Sequence, residues 1–283
     1  MRNFLIRILV YLSFFSILVF YRLDGFQISK IKRSSKASHE IVLGDNFETI
    51  KNILNKDFSY LGKGHQCFVF ESEDGEYVIK LLNYRRFNLP PIVMPFKFVP
   101  HLKKMQQDRA LRLQPSLESY RLAQHFLKEE TGIIYVQMQN SSFHKVIKLK
   151  DKANSIHKID LYDVDFVLQK KAKPIFDHLE TLYHNDKESF KRSIGSFLDV
   201  VSSRINKNIV DDDLDVEINY GFYKEKAILI DPGRIFIDSR LFSQKNREEE
   251  MRKSTKNLRT WILNKHPDML SFFDQQLALK AGA

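Results

Sequence analysis

Two stretches of the chain hold residues whose types and spacing could do chemistry. In residues 59–83, SYLGKGHQCFVFESEDGEYVIKLLN, Gly62 and Gly64 let the backbone turn tightly where a side chain would block an approaching anion. Lys80 is the one charge in the apolar run 77–82, and an ammonium in such a run needs a partner. In residues 211–234, DDDLDVEINYGFYKEKAILIDPGR, Asn219 and Asp231 flank two apolar runs. Mg²⁺ prefers oxygen ligands and takes one or two from the protein, so an asparagine and an aspartate at the mouths of paired strands suit it. The aspartates 211, 212 and 213 are either a solvated turn or a source of a catalytic carboxylate.

The surrounding pattern gives the elements that must position these groups. Phe68, Val69 and Phe70 resume a strand after the glycines, and Asp74-Gly75 predicts a type I′ turn into the lysine strand. Residues 84–114 hold four prolines and many basic groups, which predicts an irregular insertion. Leu117, Tyr120, Ala123 and Leu127 fall at helical spacing with Ser116 as N-cap. Residues 132–137, 144–150 and 165–168 read as further strands of one antiparallel sheet. A long helix is legible over 188–206, with Phe190, Ile194, Phe197, Leu198, Val201 and Ile205 on one face. Helical sequence resumes near Arg247, breaks at Pro267 and ends in one more helix.

The order of these parts resembles the protein kinase-like fold. In that family a G-x-G-x-x-G-x-V loop covers nucleotide phosphates and the third strand offers them a lysine. Gly62, Gly64 and Val69 match the loop, with Cys67 where the third glycine belongs, and Lys80 matches the lysine. The resemblance implies that Glu118, on the next helix, holds Lys80. It implies that backbone groups of Gln169 to Lys171 meet an adenine edge. Asp231-Pro232-Gly233 stands where the family has D-F-G, so Asp231 and Asn219 are the implied Mg²⁺ ligands and ATP the implied nucleotide. The catalytic loop departs from H-R-D-x-x-x-x-N: the position five before Asn219 is Leu214, Asp213 lies six before and Asp211 eight before. Asp213, with Asp211 second, is the implied catalytic base. No A-P-E motif follows, so the segment that docks peptides in ordinary protein kinases is short or missing.

At 283 residues with 43% hydrophobic content, the chain is long enough for two lobes with a real core. A net charge of +10 favours phosphate-rich partners or an anionic membrane face. No zinc-ligand spacing or nucleic-acid motif accompanies it, so no nucleic-acid partner is expected. Cys67 is the only cysteine, which excludes an internal disulfide framework. Residues 3–21, NFLIRILVYLSFFSILVFY, are near the minimum length of a membrane-spanning helix, and the basic residues after them place the remainder in the cytoplasm. A cleaved signal peptide is the alternative. The expected fold class is α+β: an antiparallel N-lobe over residues 46–171, a helical C-lobe over 172–283, a basic tether over 23–45 and an anchor or signal over 1–22. The expected function is ATP- and Mg²⁺-dependent phosphoryl transfer to an acceptor that the residues do not identify. The rivals are a pseudokinase that binds without catalysis and a basic surface binder with no nucleotide site.

Overall fold

A computed structural model describes residue 11 and residues 25–33, 39–40, 47–89, 93–96, 98–138, 141–142 and 144–282. The architecture is α+β, and the chain divides into two compact units that interleave in sequence. Residues 1–112 with 137–168 form the first, and residues 113–136 with 169–283 form the second. The expected boundary at 171 moves to 168, and the helix around Tyr120 belongs to the second unit. Among the described residues no helix is long and apolar enough to cross a membrane. The expected anchor, residues 3–21, lies outside them apart from Tyr11.

The first unit is organised by six strands of a seven-stranded sheet, in the order Phe166–Lys170, Tyr77–Leu82, Cys67–Ser72, Phe58–Lys63, Val146–Lys150, Ile156–Asp160, and the seventh strand, Ile133–Gln137, is next to Phe166–Lys170 in that order. Its pairs are not all antiparallel as expected. Phe58–Lys63 runs parallel to Val146–Lys150, with Phe58 opposite Leu149. The alternation of apolar residues sets which face of a strand is buried and says nothing about its neighbour's direction. Asp74-Gly75 also differs from expectation. Of the two only Gly75 takes a positive φ, +70°, and its N–H donates to Ser72 O at 2.8 Å, so the turn is not type I′, which needs both residues left-handed.

Residues 25–33 are part of this unit and not a tether. Phe26 is buried edge-on against Phe68 and Phe70, with ring centroids 5.2 and 5.1 Å away. Ile31 is fully buried. Arg33 Nε sits 2.7 Å from the buried Asp165 carboxylate, which also accepts from the Tyr84 hydroxyl, and Arg33 Nη2 donates to Val164 O at 2.9 Å. The expected irregular insertion contains a helix, Pro100–Ala110, with its proline at the start. That is where a missing N–H costs nothing.

The second unit packs the helices Ile175–Asn185, Lys187–Asn206, Gln244–Lys265 and Leu270–Ala281. Asp186 caps the long helix by accepting from Glu188 N and Ser189 N at 3.1 and 3.0 Å, and Phe190, Ile194, Phe197, Leu198, Val201 and Ile205 are buried as their spacing predicts. Three short ladders complete the unit. Tyr220–Tyr223 pairs antiparallel with Lys226–Leu229 on one side and with Lys173–Pro174 on the other, and Ile209–Asp211 pairs antiparallel with Ile235–Ile237.

Candidate functional site

In the first unit, sheet register brings three of the expected residues into one row. Gly62 is opposite Val69 and Val69 is opposite Lys80, and directly opposed residues project from the same face. The strand is irregular between Tyr60 and Gly62. At Gly62 an added Cβ would meet nothing within 4 Å, so packing does not demand the glycine. Gly64, at the exposed end of the hairpin, donates to Cys67 O at 2.9 Å. Lys80 is buried at 6% exposure.

In the second unit, the paired strands place Asn219 and Asp231 at one end, with Tyr220 opposite Leu229. Asn219 ends the one-turn helix Val216–Asn219. Its carbonyl accepts from Ile230 N at 2.6 Å and from Asp231 N at 3.4 Å, and its side-chain amide donates to Asp213 O at 3.0 Å. Asp231 Oδ1 accepts from Tyr120 OH at 3.1 Å and from Gly233 N at 3.2 Å. Pairing of Ile209–Asp211 with the strand after Gly233 closes the set, because it sets Asp211 opposite Ile235.

The two candidate bases are not equivalent. Asp211 is almost wholly buried, and its Oδ1 accepts from Asp213 N at 2.9 Å. Its Oδ2 is a buried oxygen with no hydrogen-bond partner. Burial pushes the Asp211 carboxyl up to about 6, with the Asp213 and Asp231 carboxylates adding to it, while the Arg204 charge and the Asp213 N–H oppose the shift. Arg204 is itself buried. It donates to Ile209 O and Ser254 Oγ, both at 2.7 Å, and to Glu250 Oε1 at 3.3 Å, which fixes the strand that leads into Asp211. Asp213 is half-buried, 3.8 Å from Arg234 Nε, and its Oδ1 receives Asp215 N at 3.4 Å. One carboxylate anchors the loop and the other lies on it.

Glu118, expected to hold Lys80, belongs to the second unit, and Lys80 to the first. Glu118 is exposed on its helix and paired with Arg121 at 2.5 Å. The buried positions of Leu113–Phe126 are Ser116, Leu117, Ser119, Tyr120 and Ala123. A first-turn glutamate signal cannot distinguish an inward from an outward position when the helix starts three residues earlier than its expected cap. Tyr120, on the same helix, reaches a site residue, Asp231. Sequence reasoning gave it to the apolar stripe, since nothing in the pattern marks a hydroxyl that will be used.

Gln169, whose backbone is expected to meet an adenine edge, has a use for its side chain as well. Its buried side-chain amide donates to Thr131 O at 2.7 Å, Ile230 O at 3.1 Å and Leu229 O at 3.4 Å, and so holds the end of the strand Lys226–Leu229, two residues before Asp231. The next N–H, that of Lys170, already donates to Gly132 O at 3.0 Å. Lys171 is half-buried.

The donors Asn219 and Asp231 offer oxygen, as a hard divalent cation requires. Among the described residues no group of three or more His, Cys, Asp and Glu can hold a metal ion. A cation here would take two protein ligands and complete its shell from phosphate and water, as Mg²⁺ commonly does.

No family model matches the chain, and no curated protein matches its sequence. Among solved structures the chain is similar to the bifunctional kinase-methyltransferase WbdD. The complex of WbdD with the kinase inhibitor LY294002 is 12% identical at a TM-score of 0.39, over 76% of this chain and 44% of that one. A second WbdD structure is 13% identical at a TM-score of 0.38, over 75% and 42%. The chain spans less than half the length of the WbdD chains it matches. A likeness of this size leaves function to be argued from the residues.

Proposed function

We propose that the chain is an ATP- and Mg²⁺-dependent phosphotransferase of divergent protein kinase-like type. The observation that carries this is the hydrogen-bonded set Asp211, Asp213, Asn219 and Asp231, built from the ends of two strand pairs in the second unit. Asn219 and Asp231 hold Mg²⁺, whose role when bound is to neutralise charge on the transferring phosphoryl group. Asp213 accepts the proton of the acceptor hydroxyl. Asp211, too buried to reach an acceptor, holds Asp213 through its N–H. In the first unit, Gly62 and Gly64 leave room for the phosphates and Lys80 binds them. Residues 3–21 anchor the protein in a membrane, with the rest in the cytoplasm.

The test is phosphoryl transfer by Asp213→Asn and Asp231→Asn, each first checked for folding and for Mg-ATP binding. A general base contributes about 10²- to 10⁴-fold, so Asp213→Asn loses rate in that range while still binding nucleotide. Asp231→Asn loses the metal dependence of binding. If Asp213→Asn stays within about tenfold of the parent rate, Asp213 is not the base and the aspartates form only a turn; a parent that binds Mg-ATP and transfers nothing is a nucleotide-binding module without catalysis.

A further inference from the structure

The segment after the lysine strand presents apolar side chains to solvent beside a basic helix. Phe98 is 75% exposed, Leu111 73%, Phe96 52%, Met94 45% and Val99 38%. The helix Pro100–Ala110 that follows buries none of its residues. Polar clamps at its base hold it in place: Gln106 Oε1 accepts from Leu89 N at 2.7 Å, and Arg109 Nη1 donates to Asn88 O at 3.0 Å. Lys103 and Lys104 are exposed on it, and Arg86 is exposed at the turn to which it is clamped. A soluble monomer seldom leaves apolar side chains clustered this way without a use for them.

We propose that Met94, Phe96, Phe98 and Val99, together with Lys103 and Lys104, dock the first unit onto an anionic lipid surface. Phenylalanine and aliphatic tips insert at the level of the acyl boundary, and the ammonium groups meet anionic headgroups. Two further observations favour a bilayer over a protein partner. The charge of the whole chain is +10, which complements an anionic leaflet without requiring a shaped pocket. The second is the short leash. Residues 25–33 are packed into this unit, so only residues 22–24 separate it from the apolar stretch ending at Tyr21, a span of about 14 Å at full extension. This second argument rests on the anchor reading above, and a unit held that closely to a membrane cannot avoid presenting a face to it.

The test uses the full chain with Phe98→Cys carrying an environment-sensitive dye. Cys67 is buried, so the label goes to the introduced thiol, and Lys152→Cys, in an exposed turn, serves as control. With phosphatidylserine–phosphatidylcholine vesicles the dye at 98 shifts to the blue, and the shift reverses as salt is raised. With pure phosphatidylcholine it does not shift. Lys103→Glu with Lys104→Glu weakens the response by about tenfold or more. Flotation with the vesicles is scored separately and tests the anchor, which ignores lipid charge. Protein that floats with no shift at 98 overturns the docking proposal and leaves the anchor standing. An equal shift at 152 also overturns it, as does a shift produced by a duplex oligonucleotide and not by vesicles.

Discussion

At position 211 a carboxylate ionises with almost no water to face. Its folded pKa is pushed up to about 6, against about 4 for an aspartate in an unfolded chain. Between those values the folded state keeps a proton that the unfolded chain has released, so this group's contribution to stability falls as pH rises through the window. The shift corresponds to about 2–3 kcal/mol of destabilisation by pH 7. Asp211→Asn removes the ionisation and keeps an oxygen for Asp213 N–H. Urea unfolding at about pH 4.5 and about pH 7.5 should show the variant gaining about 2 kcal/mol on the parent at the higher pH. A difference independent of pH would mean that Asp211 is not a buried acid. Asn219 and Asp231 were legible in the sequence because polar residues at the ends of apolar runs stand out. Tyr120 and Gln169 were not. Each sits in a run that also explains itself as core, and only the fold reveals what the hydroxyl and the amide meet.

Two glycines show how differently an element can use the same residue. At Gly221 an added Cβ would stand 2.6 Å from Lys173 O and 2.7 Å from Ile230 Cδ1, and a backbone carbonyl cannot swing aside as a side-chain end can. Gly221→Ala should therefore lose about 1–3 kcal/mol of stability, whereas Gly62→Ala, with open space around its Cβ, should unfold within about 0.5 kcal/mol of the parent. Denaturant titration compares the two, and equal losses would show that close packing does not set the requirement at 221. The strand and helix pattern was largely legible from periodicity: the long helix expected over 188–206 runs over Lys187–Asn206. The parallel pair was not, because the pairing of Phe58–Lys63 with Val146–Lys150 joins segments far apart in sequence. The strand Ile156–Asp160, unmarked in the reading, lies at the sheet's outer edge, where Ile156 is exposed and the apolar signal is weak.

At the scale of the molecule the least legible feature was where the first unit begins. Basic, serine-rich sequence reads as linker, yet Phe26, Ile31 and Arg33 are inside. Arg33→Met leaves the Asp165 charge buried without its guanidinium, and breaking such a pair costs about 3–5 kcal/mol. Equilibrium unfolding of the variant measures this, and a loss within about 0.5 kcal/mol would show that the carboxylate is satisfied without the guanidinium. The same pair bears on how the protein is made. Arg33 and Asp165 are 132 positions apart, and at about 5–20 residues per second the ribosome needs about 7–26 s to travel from one to the other. Throughout that interval the emerging chain carries Arg33 and not yet Asp165. Residues 113–136 are synthesised inside the same interval and belong to a unit whose remaining sequence starts only at 169. The first unit has all its residues only when translation passes residue 168, and by then residues 113–136 have long been made and still wait for the remainder of the second unit, so the two units cannot be built from consecutive blocks of chain.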